Sequence, residues 1–323
     1  MLNPQIQAEA DESPAKFTRG QWVRVKPLAE IRLTLDPEGT LDGLPFMPEM
    51  AAHCGTRFRI VRFANQVCAN VGSVKMQRLA DVVVLKVDRC DGQFHGGCEM
   101  GCDLLWKTQW LVGSDEKDEL VDVNEQDVCQ DFHQQLVQLS AVKNNGAAEE
   151  ANACYRCQAT ELGAASRQAS AFNLQQYRVE RETNGTSLTR IGVFLASTIY
   201  RKVMRKSESC EGPCRRTPVS HLGLAVGDKA RVKSFDEIVK TLDANGCNRG
   251  LWFDQKEMRP FCGQVLTVSR NITRIMDEGT GELLNLKVPS VVLNETQCSG
   301  LSRRFCGRGM LHFWREVWLE RAE

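Results

Sequence analysis

Gly20-Gln-Trp-Val-Arg-Val-Lys26 and Gly227-Asp-Lys-Ala-Arg-Val-Lys233 open two stretches of this chain that read alike, and that likeness decides the fold. Leu35-Asp36 with Gly39 corresponds to Leu242-Asp243 with Gly246. After one inserted residue, Glu49-Met50 meets Glu257-Met258, Cys54-Gly55 meets Cys262-Gly263, and Gly92 meets Gly300. The pairs Cys90 and Cys298, Cys98 and Cys306, Trp106 and Trp314, and Trp110 and Trp318 all share an offset of 208 positions. An offset that steady points to an internal duplication, residues 17–113 matching 222–321.

Within each copy the texture is β. Gln21–Lys26, Arg57–Phe63, Val82–Val87 and Leu104–Val112 are short runs rich in Val, Ile, Leu, Phe and Trp, separated by turn-like Asp-Pro-Glu-Gly at 36–39 and Asp-Gly at 91–92. About five short strands around a small core predict an SH3-like barrel. One short helix is expected after the first strand, at Ala29–Leu35 and again at Asp236–Leu242. The fold class is therefore mainly β with a helical connector: a disordered lead (1–16), a first barrel (17–113), a connector (114–221) and a second, degenerate barrel (222–323). In the connector, Ser114 is a candidate N-cap for a helix running through Leu120, Val123, Val128, Phe132, Leu136 and Leu139. Ser187–Lys206 reads as a second helix, with Arg201, Lys202, Arg205 and Lys206 at the end where cations suit the helix dipole.

Lys and Arg number 41 and Asp and Glu 41 in a chain of 323 residues, so net charge supplies no steering toward nucleic acid. The start is polar and acidic, without the apolar core of a secretory signal, and the longest apolar run, Ile191–Tyr200, is too short to span a bilayer. A cytoplasmic protein without a transmembrane segment is expected. Its 14 cysteines then favour metal or redox chemistry over disulfides. The competing reading is a secreted disulfide protein, to which Asn184-Gly-Thr186, Asn271-Ile-Thr273 and Asn294-Glu-Thr296 would supply glycosylation triplets.

The densest chemical signal is Cys90-Asp-Gly-Gln-Phe-His95-Gly-Gly-Cys98-Glu-Met-Gly-Cys102, in which glycines let the backbone fold tightly enough to converge metal ligands. The second copy keeps Cys298 and Cys306 but has Arg303, Met310 and Met276 where the first has His95, Cys102 and Cys68. Joint loss of three candidate ligands is what one degenerate site predicts; general drift between copies is the alternative. Cys154-Tyr-Arg-Cys157 in the connector is a further candidate pair. Cys210 and Cys214 with Cys298 and Cys306 are a looser candidate for a second site. Cys54 and Cys262, at equivalent positions beside Gly, read as core residues. Four thiolates suit zinc, the default structural metal, or an iron-sulfur cluster such as [4Fe-4S]; spacing does not choose between them. No hydrolase, P-loop or dinucleotide fingerprint is present, and no catalytic residue can be assigned.

Leu41-Asp-Gly-Leu-Pro-Phe-Met-Pro-Glu-Met50, the Cys90–Cys102 stretch with Leu105-Trp-Lys-Thr-Gln-Trp110, and Tyr155-Arg-Cys-Gln-Ala-Thr-Glu161 resemble a family of uncharacterised bacterial proteins. The resemblance covers the first copy and part of the connector and implies no activity. It does imply that Cys157 belongs with the first-copy cluster and that Cys154 lies outside the pattern. The expected ligands are therefore Cys90, Cys98, Cys102 and Cys157, with His95 as an alternative fourth, Cys68 nearby and Cys154 as a further candidate. The expected function is that of a zinc-binding accessory protein that meets a protein partner. The alternative is an iron-sulfur or zinc metalloenzyme or redox protein with its site between the first barrel and the connector.

Overall fold

The computed structural model describes residues 17–70, 74–115, 126–142, 154–170, 173–204 and 210–322. The expected lead at 1–16, and the helical positions Leu120 and Val123, lie outside the described residues.

The chain is mainly β, and all of its paired strands are antiparallel. In the first five-stranded sheet, Trp22–Val25 lies between Arg57–Phe63 and Leu111–Gly113, and Val82–Leu85 and then Leu105–Lys107 follow on the far side of Arg57–Phe63. In the second, Lys229–Val232 lies between Val265–Met276 and Leu319–Arg321, followed by Leu283–Gln297 and Leu311–Trp314. The registers agree as well: Val23 faces Phe58 and Gly113, and Ala230 faces Leu266 and Arg321. The short helices fall at Leu28–Arg32 and Phe235–Val239, each beginning one residue before the span expected.

One expectation needs correction. Leu104–Val112 is not a single strand, because a 3-10 turn, Thr108–Trp110, divides it, as Glu316–Trp318 does in the second copy. The two pieces end on opposite edges of the sheet and do not pair, so no closed barrel forms among the described residues. Burial of the tryptophans accounts for the turn. Phe46 meets Trp106 and Trp110 edge-on, at 6.2 and 5.2 Å between ring centres, and Phe253 meets Trp314 and Trp318 at 6.3 and 5.4 Å. A straight strand would carry its two indoles too far apart to share one ring. All four indoles are fully buried. Buried indole N–H groups need acceptors, and Trp110 donates to Thr34 Oγ1 (3.1 Å) while Trp318 donates to Thr241 Oγ1 (2.9 Å).

The connector forms helices at Gln126–Ser140, Gln158–Ala165, Leu174–Asn184 and Leu188–Met204. The middle two were not expected. Leu174–Asn184 is largely polar and buries Gln176, Glu180 and Thr183 beside Tyr177, so no apolar stripe marks it. No helix among the described residues is long and apolar enough to cross a membrane.

The two halves grip each other through exchanged contacts. The hairpin Gln66–Asn70/Val74–Arg78 of the first reaches the cysteine loop of the second, where Gly307 N–H donates to Gln66 O (2.7 Å). At the positions displaced by 208, Glu99 N–H donates to Arg274 O (3.0 Å). Each copy's loop is thus roofed by the other copy's hairpin.

Candidate metal centre

The loop between Cys90 and Cys102 is closed by Cys90 N–H donating to Cys102 O (2.9 Å), and Gly92 O accepts from both His95 N–H and Gly97 N–H. Gly92 has φ +75°, and a Cβ there would sit 2.1 Å from the carbonyl oxygen of Cys98, so only glycine fits. This tight turn aims Cys90, Cys98 and Cys102 at one cavity of about 40 Å³. The cavity exceeds the roughly 10–15 Å³ that a single water requires.

Cys157 completes the ring from the connector, at the N-cap of the helix Gln158–Ala165. The neighbouring Gln158 holds it there. Its amide oxygen accepts from Leu105 N–H (2.8 Å), and its amide nitrogen donates to Leu105 O (2.8 Å) and Pro45 O (3.0 Å). Gln158→Leu would leave a buried N–H and C=O of Leu105 unpaired, at about 1–3 kcal/mol each. A thermal or denaturant melt should register a loss of about 3 kcal/mol. A loss below about 1 kcal/mol would place the connector's anchor elsewhere.

The rest of the wall is mostly apolar and comes from both halves, with Met47 and Met100 from residues 17–113 and Met276 and Met310 from residues 222–321, while Asp103 and Arg308 are its charged members. Met276 and Met310 are the residues at the positions equivalent to Cys68 and Cys102. Burial pushes all four thiols up, Cys102 to about 12 and Cys157 to about 11. For Cys90 the charge of Glu49 adds to burial. The thiols also raise one another, Cys90 responding to Cys102 and Cys157, Cys102 to Cys157 and Cys98, and Cys157 to Cys98. Such sulfurs become thiolates when a cation supplies the missing charge.

Behind the cavity is a carboxylate that inspection of cysteines and histidines did not select. The ligand atoms of Glu49, Cys90 and His95 all lie within 4.8 Å of one another, the one such group of three found among the described residues. Cys90 Sγ is 3.4 Å from His95 Nε2, and His95 Nδ1 is 3.1 Å from Glu49 Oε1. Glu49 Oε2 and His95 Nδ1 are buried without an aligned hydrogen-bond partner. In the second copy the equivalent Glu257 is amply satisfied, accepting from Ser299 N–H and from both N–H and Oγ of Ser302. Arg303, at the position of His95, pairs with Asp254 instead. Glu49, by contrast, has one oxygen, Oε2, without a hydrogen-bond partner, while Oε1 meets Cys90 Sγ and His95 Nδ1.

No three of the four cavity cysteines bring their sulfurs within 4.8 Å of one another, so the expected close tetrahedron of sulfurs about 4 Å apart is not formed. Cys68 does not line the cavity; the exchange of hairpins carries it to the opposite loop, beside Cys306. Cys154 pairs with Val142 in a short ladder and also stays off the cavity wall. Cys210, Cys214, Cys298 and Cys306 do not assemble. Cys210 packs on the second core, Cys214 donates to Lys240 O, and Cys306 faces Cys68. Glu49 is marked in the sequence by its match to Glu257 and by its place in Leu41–Met50, but neither signal identifies it as a ligand. No family model matches this chain, and no curated protein is found to be similar to it.

Proposed function

We propose that this is an iron-sulfur protein in which Cys90, Cys98, Cys102 and Cys157 hold a [4Fe-4S] cluster where the first copy, the connector and the second copy meet. One observation carries the reading: four thiols line a single cavity, and no three of their sulfurs lie within 4.8 Å of one another, as they would around one ion. A zinc ion bound at about 2.3 Å draws its thiolates to about 4 Å apart and leaves no cavity, whereas a polynuclear cluster occupies the middle and keeps them apart. Four cysteines fill the cluster's protein positions, so the chemistry it supplies is one-electron transfer. The methionine wall excludes water and Arg308 places a positive charge beside the cluster, the two levers by which a protein tunes such a potential.

The surrounding architecture is two SH3-like units derived by duplication. The shared strand order, the last strand returning beside the first, the 3-10 turn before it and the matched indole contacts support this. In this reading the degenerate copy has become a cover for the first copy's cluster and offers its outer face to a protein partner. All thirteen described cysteines that can be assessed are free thiols, which suits a reducing compartment such as the cytoplasm.

A second reading, a single zinc on Glu49, Cys90 and His95, is favoured by the closeness of those three ligand atoms. Variants separate the two. Anaerobically purified protein should show visible charge-transfer absorption that Cys102→Ser removes and Glu49→Gln retains. Colourless protein that loses zinc in Glu49→Gln and keeps it in Cys102→Ser would establish the second reading instead.

A further inference from the structure

Cys68 and Cys306 come from different copies, and their sulfurs lie 3.6 Å apart. The Cys306 thiol donates to Cys68 Sγ, and Cys68 N–H donates to Cys306 Sγ (3.3 Å). Arg308 donates to Cys68 O (2.8 Å), comes within 4.0 Å of its sulfur, and is held in place by two contacts to Glu278. Cys68 is partly exposed while Cys306 is buried. At the equivalent place in the other half, Cys98 is buried against Met276, whose backbone bonds its sulfur. The same junction therefore occurs twice, once as thiol and thioether and once as two thiols.

We propose that Cys68 and Cys306 form a thiol–disulfide exchange site whose substrates are disulfides, with Cys68 the attacking and Cys306 the resolving thiol. The proposal does not depend on the cluster. Cys68 thiolate attacks one sulfur of a small disulfide; the reagent's S–S bond breaks, a thiolate leaves, and a mixed disulfide forms on Cys68. Cys306 then attacks the Cys68 sulfur, giving up its proton to the second departing thiolate, and the Cys68–Cys306 bond forms. Two protein thiols are oxidised and one external disulfide is reduced to two thiols. Closing the bond requires the sulfurs to move from 3.6 Å to about 2.05 Å. The hydrogen bond from Cys306, and then Arg308, hold the Cys68 thiol below its ordinary range against the opposing effect of burial. Cys306 is raised by the same hydrogen bond. That division suits one thiol to attack and the other to wait.

Full-length protein treated anaerobically with glutathione disulfide and mapped by mass spectrometry should contain a Cys68–Cys306 cross-link. Cys306→Ser should instead trap glutathione on Cys68. Cys68→Met, which copies the arrangement already packed at Cys98 and Met276, should leave Cys306 unmodified and the fold unchanged. Alkylation of Cys68 by iodoacetamide should fall less between pH 8 and 6 in Cys306→Ser, whose hydroxyl still donates to the Cys68 sulfur, than in Cys306→Ala, which lacks that donor. An ordinary thiol loses roughly 75-fold over that interval. Wild-type protein in which Cys68 and Cys306 stay reduced, or in which glutathione persists on Cys68 unresolved, would overturn the proposal. Visible absorption of the same samples reports the cluster separately, so either claim can fail alone.

Discussion

Cys157→Ser should lower the bound metal by more than about tenfold and release the connector to proteolysis, whereas Cys154→Ser should do neither. In the proposed site Cys157 is the one ligand from outside residues 17–113, and its short helix is otherwise held by the clamp of Gln158 and by Leu162 in the first core. Serine is a poor replacement for a thiolate on a soft metal site, and metal-binding free energy in such a site is folding free energy. The expected loss of stability is several kcal/mol. Cys154 lies three residues earlier in a two-residue strand away from the cavity, which makes it a stringent control. Metal content by elemental analysis and limited proteolysis of both variants read the result. Equal loss in the two would mean that the connector, rather than one sulfur, governs the site.

Gly92→Ala and Gly300→Ala impose the same strain on two loops with different cargo. Gly92 and Gly300 have φ +75° and +72°, and a Cβ on either would meet a backbone carbonyl oxygen at 2.1 or 2.2 Å. No flexible side chain can move aside, so each substitution should cost at least about 2 kcal/mol. The first distorts the loop that bears Cys90, Cys98 and Cys102 and should abolish metal binding. The second distorts the loop that bears Cys306, and should disturb its approach to Cys68 while most of the metal stays bound. A denaturant midpoint and a metal assay on each variant check both halves. Metal retained in Gly92→Ala would remove that loop from the site.

The matched halves were legible in the chain because their marks are side chains that only one environment suits. Trp106, Trp110 and Phe46 recur as Trp314, Trp318 and Phe253 since each trio packs on itself, and that packing depends on local spacing. The glycine-rich loop from Cys90 to Cys102 was legible for the same reason, its turn being written into adjacent residues. Glu49 was not. A carboxylate in sequence resembles any other, and this one matters because folding buries it against His95 and Cys90, 41 positions from the latter. Cys68 shows a subtler limit. The positions 208 beyond Cys68, His95 and Cys102 hold Met276, Arg303 and Met310, which points to one shared site, but that comparison does not reveal that each hairpin crosses to the other half's loop. Crossing places Cys68 beside Cys306 and sends Met276 to the cavity in its stead. The polar helix Leu174–Asn184 escaped notice because Asn184 anchors it by hydrogen bonds to Phe63 N–H and O, not by an apolar stripe.

What occupies the ring of Cys90, Cys98, Cys102 and Cys157 decides between a cluster and a single ion. Quantification of iron, acid-labile sulfide and zinc in protein purified without oxygen tests it most directly. The account predicts iron and sulfide in equal amounts, near four of each per chain as a [4Fe-4S] cluster requires, with little zinc. One zinc per chain without sulfide, or no metal at all, would contradict it.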